Sequence, residues 1–431
     1  MVIGTPHASL QYEVGLNCPL LCRSMLLSPM TLTGLRAIRD SDPRLEAIPN
    51  TGTGSIEEAH RRAMGSMWTM QLCRTPRGKF EVYQPVVMLD RLLVSAATAT
   101  FSKVTRVKQA NRHLVNATVA NMLSEGIPFV VHRFDLRQFY ESIPREKIES
   151  RLIEDLGLPR SAVRVMRSLF QGCSEQGVVG LPRGVSSSGV LSEDYLLPID
   201  RALANHDHIY FYSRYVDDII IVSSAEAKHH DIKSWLRDEL QTRGLRLNHE
   251  KSHGLLIEGG QSNKPSSHFD FLGYRYTITP QKDNRNLVSI DIAPAKIAKV
   301  ASRLCLSARA FLIDHDYELF DDRIRALSGN YRIPGGQQGY LPKVGIFYSY
   351  PAVSANTYGN LESGLSKLDS FLRALMLGRR TSLSRGLATA LTSGQRRHLA
   401  RYSFTVGHRT RQLTNFPSQR VGKIVGCWKY A

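Results

Sequence analysis

Two consecutive acids set inside an apolar strand pair limit what this chain can become. The segment Ile209 to Ser224 reads IYFYSRYVDDIIIVSS, and runs rich in β-branched and aromatic residues flank Val216, Asp217 and Asp218. Such runs read as strands, so the spacing predicts a hairpin over Ile209–Tyr215 and Ile219–Val222 with the acids at its turn. Alone, an Asp-Asp pair is ordinary turn chemistry, because Asp tolerates left-handed backbone. A third acid changes the reading. Phe129 to Phe134 (FVVHRF) is another short apolar run that reads as a buried strand, and it ends directly on Asp135. Packed beside the hairpin, that strand would bring Asp135 to Asp217 and Asp218.

Carboxylates converging from separate strands suit nucleotidyl transfer. The reaction must deprotonate a 3′-hydroxyl and stabilise a departing pyrophosphate, and two divalent ions roughly 3.5–4 Å apart serve both oxygens. Magnesium takes oxygen ligands and keeps water and substrate phosphates in its shell, so two or three protein carboxylates suffice. Two Mg2+ ions are therefore expected, with Mn2+ as a substitute.

Charge points to the same class of partner. The chain has 431 residues, room for two or three domains, and 56 Lys+Arg against 38 Asp+Glu give +18 and a sequence pI near 9.8. From Met1 to Met70 there are six basic and six acidic residues, whereas Phe371 to Ala431 holds twelve basic and no acidic ones. A surface kept basic only for solubility would mix in acids, so this tail reads as a polyanion-binding face. The six cysteines form no CxxC pair and have no neighbouring His cluster, which points away from a zinc site or a disulfide framework. The N-terminus lacks the basic start and apolar stretch of a signal peptide, and no run approaches bilayer length. A cytoplasmic setting with no membrane partner is expected.

Gly-, Ser- and Pro-rich stretches at Asn50–Ser55, Gly259–Ser267 and Gly329–Gly339 read as loops. A domain boundary is expected after Pro280, before the third of these. Leu361, Leu365, Leu368, Phe371, Leu372 and Leu375 recur at helical spacing and predict one core-facing helix stripe.

At Tyr215-Val216-Asp217-Asp218 the chain resembles the reverse transcriptases, matching their YxDD signature in full, and further blocks follow in that family's order. FDLRQFYESIP resembles the first palm motif. The resemblance implies Asp135 as the shared metal ligand, the carbonyl of Leu136 as an additional one, and Tyr140 as the ring that screens the sugar 2′ side. GLPRGVSSSGVLSE resembles the second motif, a small-residue loop leading into a helix, with Arg183 and Gly184 at the nucleotide and Ser188 toward primer and template. Many relatives have Gln where Arg183 stands and Pro where Gly189 stands. GLRLNHEKS resembles the fourth motif, which makes Lys251 the group that protonates or electrostatically relieves pyrophosphate. FDFLGY resembles the hairpin that grips the primer, so Leu272 and Gly273 join Tyr215 as primer and template contacts.

KFEVYQPVVMLDR resembles the fingers hairpin that meets the triphosphate, yet Phe80 occupies a position that is basic in many relatives. Arg77 or Lys79 is the expected replacement. Asn116-Ala117 resembles the NAxxH block of retron-type enzymes, but Ala120 replaces the His and no VTG triplet occurs. LPRG with LSE, LARYSFTVGHRTRQL and IVGCWKY resemble bacterial reverse transcriptases of the unknown or defence-associated, abortive-infection-like groups.

The resemblance implies an α+β right-hand polymerase: an N-terminal segment over 1–70, fingers and palm with an antiparallel sheet over 71–280, and a basic, mainly helical thumb over 281–431. It implies RNA-directed DNA synthesis from dNTPs, a noncoding RNA partner, a DNA product, antiviral defence, and a homo-oligomer or a second reverse transcriptase subunit. Two rivals stand beside it. One keeps the active site but makes DNA without a nucleic-acid template or from a protein primer, and the other is a non-catalytic RNA-binding scaffold, against which the intact acids argue. A polymerase of RNA is opposed by Tyr140, whose ring would clash with a ribose hydroxyl.

Overall fold

The computed structural model describes residues 28–78, 80–154, 157–227, 229–258, 265–281, 285–333 and 342–428. Lys79 and residues 259–264 and 334–341 of the expected loops lie outside that set. Strands β1 (Leu72–Arg77) and β2 (Phe80–Pro85) form an antiparallel hairpin, followed by the helix Met88–Thr105. Strands β3 (Phe129–Asp135), β4 (Ile209–Tyr215), β5 (Asp218–Ser224) and β6 (His253–Ile257) form an antiparallel sheet in the order β4-β5-β3-β6. A second antiparallel sheet follows, with β7 (Ser267–Phe271), β8 (Tyr274–Pro280) and β9 (Asn286–Ile292) in sequence order. The C-terminal region is mainly helical but contains a small sheet of β10 (Asn330–Arg332), β11 (Lys343–Gly345) and β12 (Leu413–Thr414).

The four-stranded sheet is apolar on both faces, which is why its strands read as unbroken runs in the sequence. Phe134, Ile219 and Ile221 face one core, shared with Leu35, Ile56, Leu92, Leu169 and Leu196 from helices on the N-terminal side. Phe129, Val131, Ile220, Val222 and Ile257 face a second core, shared with Tyr276 and Ile290 of the β7–β9 sheet and with Leu304, Ile324 and Leu372 of the C-terminal helices. Each such side chain, fully buried, contributes roughly 1.5–3 kcal/mol, and alternation along two paired strands delivers that to both sides at once.

This packing differs from the expected division at three points. Residues 30–70 do not stand apart, because Met30, Leu45, Ala63 and Met70 belong to the first core and Met70 N–H donates to the Ser168 carbonyl at 3.2 Å. The break expected at Pro280 falls between β8 and β9, which are hydrogen-bonded neighbours with Pro280 opposite Asn286. Both strands pack with the C-terminal helices, so the second core begins upstream of that point. Leu361 lies outside the helix Gly364–Leu377 and is 81% exposed, while Leu365, Leu368, Leu372 and Leu375 form the buried stripe.

The LARYSFTVGHRTRQL segment forms the helix Phe404–Thr410, whose Phe404 N–H and Ser403 hydroxyl donate to Asp369. Gly407 lets this helix lie on the Ser328 backbone, where a Cβ would come within 2.0 Å of the Ser328 carbonyl oxygen. Among the described residues no helix is long and apolar enough to cross a membrane. Backbone collides with backbone at Gly407, so Gly407→Ala should cost about 1–3 kcal/mol in denaturant unfolding. Gly394→Ala, inside the helix Ser393–Leu399 where the nearest atom is Thr392 Oγ1 at 3.8 Å, should keep the unfolding midpoint or raise it slightly.

Candidate active site

Register brings the three acids to one end of the four-stranded sheet. Asp135 ends β3 directly opposite Asp218, the first residue of β5, and Val216-Asp217 form the two-residue turn between Tyr215 and Asp218. The turn is pinned to β3 by Leu136 N–H, which donates to the Asp217 carbonyl at 3.1 Å. Val216 sits at φ 60°, a left-handed conformation costing a β-branched residue about 1–2 kcal/mol. Its neighbours must hold it there.

Burial, with the facing Asp135 charge, raises the Asp217 carboxyl above its ordinary range. Asp218 is pushed up to about 6 by burial first and then by Asp217. Arg133 lies 3.8 Å from Asp218. Asp135 is held from below by the Asn248 amide at 3.0 Å and by Lys251 Nζ at 3.1 and 3.3 Å. Lys251 therefore stands at the acids as expected, paired with Asp135 and 58% exposed.

Leu136 pairs with Leu247 in an isolated bridge, and no described residue donates to its carbonyl. Among the described residues no three His, Cys, Asp or Glu side chains form a ready metal cage. What the site offers is an incomplete shell of hard oxygens on mutually repelling carboxylates. That donor set fits a cation which brings water and phosphate ligands of its own.

Above the acids is a wall that joins two of the sequence's departures from its relatives. The Arg183 guanidinium lies 4.1 Å from the Phe80 ring centroid and 5.2 Å from that of Tyr140, stacked between them. Glu141 accepts from Arg183 Nε and, at 2.9 Å, from Nη2, which leaves Nη1 without a protein partner among the described residues. Arg183 is close enough to Asp217 for each charge to act on the other's titration. Tyr140 is raised by burial first and then by the Asp217 and Glu193 charges.

Tyr83 N–H donates to the Arg183 carbonyl at 2.7 Å, and a Cβ on Gly184 would meet Val82 Cγ1 at 2.2 Å, so glycine lets β2 rest against this loop. A cavity of about 420 Å3 opens beside Tyr140 and Gly184. Gly189 lines it, and a Cβ there would meet nothing within 4 Å.

Other expected contacts fall in different places. The Ser188 hydroxyl is buried and donates to the Pro182 carbonyl at 2.7 Å, so it braces the loop instead of facing a primer. Tyr215 packs on the second core. Leu272 and Gly273 form the β7–β8 turn at φ 46° and 82°. Arg112 donates to the Leu272 carbonyl, and Ala293 N–H donates to the Gly273 carbonyl at 3.0 Å. Arg77 ends β1, and its charge acts on Lys299 of the helix Pro294–Asp314, which burial, then Arg303, Lys296 and Arg77, hold below the usual lysine range. Arg77 thus belongs to a cationic group with the C-terminal helices, while Arg183 stands next to the acids. Lys79, the other expected cation, is outside the described residues.

Sequence reasoning missed a buried charge network behind the turn. Arg214, a lone base in an apolar strand, contacts Glu193 and Asp200, two acids seven residues apart and hence on one face of the helix Ser186–Ala204. Asn248, Glu141 and Arg112 were also missed. Each is a polar residue whose partner is distant in sequence.

Residues 88–276 match the family model described as "Reverse transcriptase (RNA-dependent DNA polymerase)". The fold is α+β, with antiparallel sheets and many helices, and Asp135, Asp217 and Asp218 all lie within the matched residues. No curated protein is a match to this sequence. Similar solved structures include apo telomerase from Candida tropicalis truncated from its C-terminal domain, at 14% identity over 53% of this chain and 55% of that one with a TM-score of 0.37. Another is telomerase from Candida albicans in complex with a TWJ fragment of telomeric RNA, at 11% identity over 86% of this chain and 64% of that one with a TM-score of 0.39. The chain spans between half and two thirds of the length of those two structures.

The raised Asp218 gives a pH test. Because its folded value of about 6 exceeds the ordinary 3.8, the folded state holds this proton more tightly than the unfolded chain, and stability falls as pH rises through that window. In EDTA, Asp218→Asn should melt higher than the wild type at pH 8. The difference should shrink as pH falls from about 6 toward 4, and a constant difference in thermal melts would contradict the assignment.

Proposed function

We propose that this protein is an RNA-directed DNA polymerase that adds dNTPs to a primer by two-metal nucleotidyl transfer at Asp135, Asp217 and Asp218. The observation that carries the reading is the cross-strand register of Asp135 with Asp218, which gathers the acids beneath Tyr140 and Arg183. Asp135 and Asp217 would hold the ions, and Asp218 and the Leu136 carbonyl would complete the oxygen set. When bound, Mg2+ or Mn2+ lowers the pKa of the primer 3′-hydroxyl and neutralises charge on the triphosphate.

The chain's own residues do the rest. Tyr140 fills the space a ribose 2′-hydroxyl would need. Arg183, held edge-on by Glu141 and stacked on Phe80, turns its Nη1 to the phosphates, replacing the fingers cation that Phe80 displaces. The primer 3′-hydroxyl loses its proton to solvent, its oxygen bonds to the α-phosphorus as the bond from that phosphorus to the pyrophosphate oxygen breaks, and the half-exposed Lys251 would meet the departing charge.

The template is a noncoding RNA, and the setting is cytoplasmic anti-phage defence in bacteria. Support for that setting is the resemblance of LPRG with LSE and of the C-terminal motifs to defence-associated reverse transcriptases. A homo-oligomer or a second reverse transcriptase subunit is the expected assembly, and the basic C-terminal region serves as the thumb on the duplex.

Two measurements test this reading. Asp217→Asn should reduce nucleotide incorporation below detection while retaining RNA binding, and the DNA made by the wild type should sequence as a copy of co-purified RNA. A homopolymer or simple repeat with no matching RNA would point instead to untemplated synthesis. For the nucleotide wall, Arg183→Gln should raise the dNTP KM roughly ten- to hundredfold, the worth of one hydrogen bond to a charged group. Adding Phe80→Lys to that variant should recover most of the loss. An unchanged KM in Arg183→Gln would remove the residue from the triphosphate site.

A further inference from the structure

Arg214 has five N–H donors in a planar fork, and three protein groups take four of them. Nε donates to Asp200 Oδ1 at 2.9 Å, and Nη2 donates to Asp200 Oδ2 and Glu193 Oε2, each at 2.7 Å. Nη1 donates to the Val216 carbonyl at 3.1 Å. The Arg214 side chain is only 3% exposed. Tyr212 also donates its hydroxyl to Asp200.

Stability alone is a poor reason for this arrangement. Burying one guanidinium with two carboxylates carries a desolvation cost that well-packed apolar side chains avoid, and such replacements are often neutral or stabilising. What the network delivers is direction. It aims one N–H pair at the carbonyl of the left-handed residue Val216, immediately before Asp217. On the other side of the turn, Leu136 N–H holds the Asp217 carbonyl. The turn that presents Asp217 is thus fixed through both of its carbonyls.

We propose that Arg214, gripped by Glu193 and Asp200, is a positioning residue that sets the Val216-Asp217 turn and so the place of the Asp217 carboxylate for metal binding. The proposal rests on the polymerase reading of the acids. It also connects two walls of the site. Glu193 lies close enough to Tyr140 for its charge to act on that ring's hydroxyl. The same helix, Ser186–Ala204, begins just after the loop carrying Arg183 and Gly184. One rigid element therefore carries the nucleotide wall at one end and the anchor of the catalytic turn further along.

Arg214→Lys keeps the charge but not the fork, because an ammonium cannot serve two carboxylates and the Val216 carbonyl in one plane. Glu193→Gln keeps shape and an acceptor oxygen, so it serves as the second variant if Arg214→Lys does not fold. Mn2+ binding is to be titrated by electron paramagnetic resonance, alongside single-nucleotide incorporation at varied Mg2+ on a supplied RNA template and DNA primer. For Arg214→Lys the expected result is a Mn2+ dissociation constant and a half-activating Mg2+ concentration each raised about tenfold, with kcat down roughly ten- to hundredfold and the dNTP KM within about twofold, as for a misplaced reacting group. Glu193→Gln should move the same quantities in the same direction by less.

A merely structural brace would lower the melting temperature and leave the metal requirement of the folded fraction unchanged. That result, in Arg214→Lys or in Glu193→Gln if only the latter folds, overturns the proposal. If the wild type itself binds no Mn2+ and incorporates nothing, the polymerase reading fails, and the positioning role fails with it.

Discussion

The pairing of β3 with β5 is the constraint from which the rest follows. Its register sets Asp135 opposite Asp218, and because strand side chains alternate, the same register fixes which of Ile219, Ile220, Ile221 and Val222 enters which core. A slip of one residue would exchange the two faces. It would also carry Asp218 away from Asp135. Core packing and acid geometry are therefore one choice, and the hydrophobic energy of two cores holds together carboxylates that repel one another.

That repulsion is met by a cation at each acid. Lys251 pairs with Asp135, Arg133 approaches Asp218, and the Arg183 charge acts on Asp217. None of the three pairs is closed to exchange. Lys251 is more than half exposed, Arg133 stands at 3.8 Å, and Arg183 gives its two bonds to Glu141 while Nη1 has no partner among the described residues. A site balanced in this way tolerates its own acids without metal.

The sequence made the acids legible because strand composition, turn position and motif order all agreed at Asp135 and Asp217. The hairpin at Asp217 and the buried stripe of Leu365, Leu368, Leu372 and Leu375 followed from local pattern, whereas the hairpin at Leu272-Gly273 and the helix after Arg183 came from the resemblance of their motifs. Contacts between distant segments did not. Phe80 and Arg183 each looked like an isolated departure from related enzymes, and only the stacking of one on the other shows that the two departures meet. Arg214 gave one weak signal, a base among apolar strand residues, whose meaning depended on two acids on another element. Ser188 matched its motif position, yet its hydroxyl is turned inward to Pro182, a matter of rotamer that spacing does not encode.

The expected boundary near Pro280 failed for a reason that bears on how the molecule works. A change in composition marks where the chain becomes helical and basic, but a core is defined by which faces are covered. The face carrying Phe129, Val131, Ile220, Val222 and Ile257 is covered by β7–β9 and the C-terminal helices together. Ending the chain after β8 would leave that apolar face of the palm open to water and would remove β9 from its partner. The helical region is consequently half of the sheet's support as well as its basic flank. Arg112, from the helix Arg112–Leu123 on the same core, reaches the Leu272 carbonyl in the turn beyond β7. The acids at one end of the sheet and the Leu272-Gly273 turn are thereby held by a single packed core.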